Sequence, residues 1–211
     1  MLDATFQHWA VADSVLPSAH PLVLFSDTTL AAAKSLFSAL QSQRTAAVEL
    51  RAAADWLVHG LREKQRALRE WHRFYNRAVR GSASGLLWER LLSPMPHEQC
   101  APHIMRDAAA EVGVFWRALE AHPPQGWPGP LRRADGSVFA DFLVEIRAFD
   151  RAMEEVAEAK CAADVAESDA AWTREQLALL VSKYPAAVAS RFRPGHRLLD
   201  SVPKPWPQEK R

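Results

Sequence analysis

Two proline-free stretches constrain this chain more than any other feature. No proline occurs between Pro21 and Pro94, and none between Pro130 and Pro185. Proline removes a backbone donor and clashes with the turn before it, so its absence over such lengths permits uninterrupted helices. In the first stretch apolar residues recur at intervals of three and four: Ala33, Phe37, Leu40, Ala47, Leu50, Ala54, Leu57, Leu61, Leu68, Trp71, Tyr75 and Ala78. That pattern is close to a coiled-coil seam. Val58, Ala67, Phe74 and Val79 widen the stripe, which then asks for more than one partner helix. The pattern predicts a helix over about 28–79, capped by Ser26 or Asp27 and stopped by the Gly81-Ser82-Ala83-Ser84-Gly85 run. About 50 residues at helical rise would span roughly 75 Å.

The second stretch predicts a helix over about 138–183. The Asp135-Gly136 pair marks a tight turn before it, and Ser137 offers a cap. This helix begins bulky (Phe139, Phe142, Ile146, Phe149, Met153, Val156), turns small (Ala159, Ala163, Ala166, Ala170) and ends bulky again (Leu177, Leu180, Val181, Tyr184). Small residues at this spacing let helix axes approach closely. Pro185 is expected to end or kink the helix, with a last turn or two reaching Phe192. Between the long helices, a shorter one is expected over about 104–121, with Met105, Val112 and Leu119 on its apolar face. A short helical piece is expected over 86–92.

The resulting fold class is all-α: an elongated helical hairpin or bundle with irregular, proline-rich termini. One helical domain over 1–211 is expected, with residues 1–25 irregular, a helical core over 26–192 and a tail over 193–211. Residues 59–80 hold seven basic and two acidic side chains, and residues 141–167 hold eight acidic and three basic. An antiparallel pairing of the long helices brings these blocks together, and charge of this kind selects orientation.

Composition narrows the function classes. The chain is 48% hydrophobic and 24% charged with a formal net charge of +1, so it should fold, and no global field draws it to a polyanion or a membrane. Two cysteines, Cys100 and Cys161, make no disulfide framework. Neither a signal peptide nor an apolar span of about 18 residues is present, so a soluble, cytoplasmic protein is the expectation.

The most distinctive polar feature is an arginine row: Arg62, Arg66, Arg69, Arg73, Arg77 and Arg80. Its steps of three and four keep it on one helix face, away from the apolar seam and so toward solvent. Guanidinium forks match phosphate oxygens, and such a row could equally meet acidic helix faces. Trp127 and Trp206 stand between prolines, which can present an aromatic ring to a partner groove. His97, Cys100 and His103 have zinc-like spacing but lack a second ligand pair, and Cys100 with His103 is a weak nucleophile–base pair. Asp55 and His59 lie one helical turn apart and could hydrogen-bond. No phosphate-binding glycine loop, dinucleotide fingerprint or His-Glu-x-x-His motif occurs. The expectation is therefore a non-enzymatic structural or protein-interaction protein without metal or cofactor, acting through a protein partner or self-association. Binding of nucleic acid or another anionic surface through the arginine row is the alternative.

Overall fold

The computed structural model describes residues 2–18, 20–24, 27–82, 90–123, 127 and 129–203. Among them the chain is all-α, with five helices: α1 (Leu2–Val15), α2 (Leu30–Ser82), α3 (Pro102–Ala121), α4 (Phe139–Arg191) and α5 (Arg197–Asp200). The apolar seams are the buried faces. On α2, Ala33, Leu40, Ala47, Ala54, Leu61, Leu68, Trp71, Tyr75 and Val79 are buried, and Leu50 is the exposed exception. On α4, Phe142, Phe149, Val156, Ala163, Ala170, Leu177, Val181 and Tyr184 are buried. Each large side chain so removed from water contributes about 1.5–3 kcal/mol.

Four boundaries differ from the sequence expectation. Residues 2–15 are a helix rather than an irregular segment. Leu2, Thr5, Phe6, Trp9 and Ala12 follow a three-and-four rhythm and are all buried, and no proline intervenes before Pro17. Helix α2 begins at Leu30, and the Thr29 hydroxyl accepts the Ala32 amide at 3.3 Å, so Thr29 caps the helix instead of Asp27. At α4 the Ser137 hydroxyl is engaged by Asp135, and Asp141 reaches back to accept the Val138 amide at 2.8 Å. Finally, α4 runs through Pro185 to Arg191, because Tyr184 and Val188 on either side are buried and hold the helix in place. The expected helical piece at 86–92 falls mostly outside the described residues; Arg90 and Leu91 form a turn.

Packing falls into two compact units. One comprises Met1–Leu50 with Ala162–Arg211, and the other Arg51–Cys161. In the first, α1 packs Phe6 and Trp9 against Leu177, Val181 and Tyr184 of α4 and against Ala33 and Leu40 of α2. Its ends are tied by polar contacts. The Trp9 indole donates to the Leu22 carbonyl at 3.1 Å, and Asp13 accepts the Leu22 amide at 2.7 Å. His8 takes a tautomer in which Nε2–H donates to the Leu198 carbonyl (3.0 Å), while Nδ1 accepts from the Tyr184 hydroxyl (2.7 Å). This contact brings α5 onto the unit, so residues 197–200 are a helical turn anchored by the buried Leu198 rather than free tail.

In the second unit the C-terminal part of α2 packs on α3 and on the N-terminal part of α4. Trp116 of α3 is its centre. Its ring lies 5.4–5.9 Å from those of Trp71, Phe74, Tyr75, Phe139 and Phe142. Its indole N–H donates to Glu120 at 2.9 Å, which leaves the ring free to pack while its polar edge stays paired. The Asp135-Gly136 turn forms as expected, with Gly136 at φ 86 and its amide donating to the Arg133 carbonyl. That turn sets the Arg133 guanidinium 4.5 Å above the Trp71 ring.

Candidate functional site

The site grows from a problem in the segment 91–100. Pro94 and Pro96 deny it regular secondary structure, yet it lies against α2 with carbonyls that need donors. Helix α2 supplies them from side chains. The Gln65 amide donates to the Cys100 carbonyl at 3.0 Å. Arg69 donates to three successive carbonyls, Pro96 (2.9 Å), His97 (2.7 Å) and Glu98 (3.0 Å). His72 and Asn76 both donate to the Ser93 carbonyl, at 2.9 and 2.8 Å. The Tyr75 hydroxyl donates to the Leu91 carbonyl at 3.0 Å. Gln65, Arg69, His72 and Asn76 are spaced four, three and four apart, so they form one strip between the apolar seam and the arginine row. From α3, Glu111 closes the arrangement by accepting the Ser93 hydroxyl at 2.5 Å.

This strip revises the arginine row. Arg69 was expected to face solvent and is instead only 6% exposed, because three carbonyls and a close-packed segment draw it inward. Arg62, Arg66, Arg73, Arg77 and Arg80 are exposed as expected. Arg66 is paired with Glu63 at 2.5 Å. The row is therefore interrupted over Arg66 and Arg69. Among the described residues, Arg73, Arg77 and Arg80 form no ion pair.

Those three arginines meet the anchored segment across a groove of about 520 Å³, lined by Arg73, Asn76, Arg77 and Arg80 on one side and Leu92, Ser93, Pro94 and Met95 on the other. The helix end favours cations here. Partial negative charge from unpaired carbonyls gathers over the last turn of a helix, which keeps Arg80 charged at little cost. The Ser93 carbonyl and hydroxyl are already engaged, so the groove offers guanidinium forks and the apolar faces of Leu92, Pro94 and Met95. The Asn76 Oδ1 is buried and, among the described residues, has no hydrogen-bond partner. The described lining residues include no His, Cys, Asp or Glu. The sequence reading missed Asn76 and the whole 92–95 wall. The regular spacing of Gln65, Arg69, His72 and Asn76 beside an apolar seam was the available signal.

The other sequence candidates are placed as follows. Trp127 is partly buried and packs against the core around Trp116. Trp206 lies outside the described residues. His97 accepts the Gln99 amide through Nδ1 at 3.2 Å, Cys100 receives Gln65 at both its carbonyl and its sulfur, and His103 is exposed at the start of α3. Among the described residues no three of His, Cys, Asp and Glu gather as metal ligands. His59 approaches Glu63 at 3.9 Å, on the side away from Asp55. Comparison with protein-family models, curated proteins and solved structures finds no match to this chain.

Two measurements probe the anchored segment. Replacing Arg69 by Met keeps much of the stem and strands three carbonyls, and an unpaired buried polar group costs about 1–3 kcal/mol. Denaturant unfolding should show Arg69→Met losing at least that much. Arg66→Met, at an exposed position, should stay within about 0.5 kcal/mol of the parent. Equal effects at both positions would place Arg69 outside the fold's support.

Burial holds the His72 pKa below its ordinary 6.5, against the opposing pull of the Ser93 carbonyl and Glu111. The unfolded chain therefore takes up this proton before the folded one does. The contribution of His72 is fully present above pH 6.5 and is lost as pH falls below it. His72→Gln keeps a donor for Ser93 and removes the titration, so it should flatten the acid limb of stability against pH. An unchanged slope would show that His72 is freely protonated in the fold.

Proposed function

We propose that this chain is a non-enzymatic binding protein and that the groove between Arg73, Arg77, Arg80 and residues 92–95 takes an anionic group. One observation carries the reading. Arg73, Arg77 and Arg80 all line a groove whose other wall is held by a dedicated set of hydrogen bonds, and no described carboxylate pairs with them. A volume of about 520 Å³ falls within the range of small-ligand sites. The described lining residues include no His, Cys, Asp or Glu, which favours binding over catalysis.

A second reading, self-association, is favoured by a different feature of the unit Met1–Leu50 with Ala162–Arg211. Val165, Trp172 and Leu179 stand seven residues apart on α4 and are 56%, 64% and 47% exposed. A strip with heptad spacing can face its own copy across a two-fold axis, because each residue then meets an identical spacing.

The first reading is tested by titrating inorganic phosphate and sulfate into the protein at low salt. Binding with a Kd of about 1 mM or tighter is expected. It should weaken with salt and disappear in Arg77→Gln with Arg80→Gln, while Arg62→Gln leaves it unchanged. No binding of either anion, or equal loss in the Arg62 variant, would overturn it. For self-association, sedimentation of the parent should show a dimer that Trp172→Ala dissociates. A monomer throughout the accessible concentration range would remove this second reading.

A further inference from the structure

We propose that the ligand of the arginine groove is a small organic phosphate monoester whose apolar body rests on Leu92, Pro94 and Met95. This rests on the anion-binding reading above and adds the chemical class. Three features of the groove narrow the choice.

The first is charge. Arg73, Arg77 and Arg80 stand at intervals of four and three, so their guanidiniums span about 10 Å of one helix face. Three arginines that pair with no described carboxylate along this wall favour a dianion, whose three acceptor oxygens can engage more than one fork. A phosphate monoester carries about −1.5 to −2 charge at neutral pH and offers that set. A single carboxylate offers two coplanar oxygens and one charge, which leaves the third arginine without a counter-charge.

The second is extent. A polyanion such as single-stranded nucleic acid is held by a continuous positive track. Here the track is broken. Arg66 is neutralised by Glu63, and Arg69 is turned into the carbonyls of 96–98. What remains is a localised cluster beside a bounded groove, which fits a discrete anion.

The third is the opposite wall. Leu92, Pro94 and Met95 are apolar and face the arginines across the groove, and Met95 remains 36% exposed. A bare inorganic ion would leave that surface wet. A ligand with a phosphate at one end and a flat apolar body at the other would cover both walls.

The test is a matched set of probes titrated into the full-length protein: inorganic phosphate, phenyl phosphate, adenosine monophosphate, phthalate and a single-stranded oligonucleotide. Phenyl phosphate should bind about tenfold more tightly than inorganic phosphate, because part of its ring leaves water. Phthalate, with the same ring and two carboxylates, should bind at least several-fold more weakly than phenyl phosphate. Met95→Ser should cut the phenyl phosphate advantage severalfold and leave inorganic phosphate unchanged, which separates the apolar wall from the arginines. Adenosine monophosphate binding at least as tightly as phenyl phosphate would add a hydrogen-bonding body to the supported class. If inorganic phosphate binds in an arginine-dependent way but phenyl phosphate is no tighter, this inference fails while the anion reading stands. Phthalate equal to phenyl phosphate would reassign the groove to dicarboxylates. An oligonucleotide that binds more tightly than every monophosphate, and depends on Arg62 as well as Arg77, would overturn the discrete-anion assignment. Failure of all five probes to bind would remove both this inference and the reading beneath it.

Discussion

The docking of residues 91–100 on α2 is the interaction on which the candidate site depends. A segment with two prolines in ten residues cannot satisfy its carbonyls through a ladder of its own. Packed against a helix, those carbonyls are also withheld from water. Their donors come from Gln65, Arg69, His72, Tyr75 and Asn76, which sit along one strip of α2. Arg69 is the most connected of them. Its fork spans three carbonyls in succession, a geometry that the single ammonium of lysine does not reproduce.

Two consequences follow from that one arrangement. Turning Arg69 inward divides the arginine row, so the exposed positive charge gathers at the C-terminal end of α2. Fixing Ser93 through two donors and Glu111 holds Leu92, Pro94 and Met95 at a set place opposite that charge. The groove is thus a by-product of satisfying backbone carbonyls, and its two walls differ in chemistry for a structural reason. Neither wall depends on the aromatic centre directly. Tyr75 nevertheless joins them, since its ring stacks on Trp116 while its hydroxyl holds Leu91. Burial pushes the Tyr75 hydroxyl well above its ordinary pKa, so it remains a donor under all ordinary conditions.

Periodic burial was the part of this protein most open to prediction. Almost every residue assigned to the seams of α2 and α4 is buried or half-buried, because a helix in water must cover a continuous apolar stripe whatever its partners are. Where prediction went astray, local chemistry had been given too much weight. Pro17 and Pro21 made the N-terminal residues look irregular, while the rhythm of Leu2, Phe6 and Trp9 already described a buried helix face. Pro185 left open whether the helix ends or kinks, and the buried residues around it carry the helix onward to Arg191. Ser137 looked like a cap, but Asp135 and Asp141 compete for the same groups and carboxylates accept hydrogen bonds more strongly than a hydroxyl does.

The sequence by itself determined that this chain is helical, where its long helices run and which faces they bury, since those properties follow from periodicity and from the absence of proline. It also placed the arginines on one face of α2. Only the tertiary structure decided which arginine serves the fold and which remain exposed. Helical spacing sets the direction in which a side chain leaves its own helix and carries no information about what another segment brings to meet it. Arg69 and Arg73 are equivalent by spacing, and they differ because the carbonyls of Pro96, His97 and Glu98 arrive beside one of them.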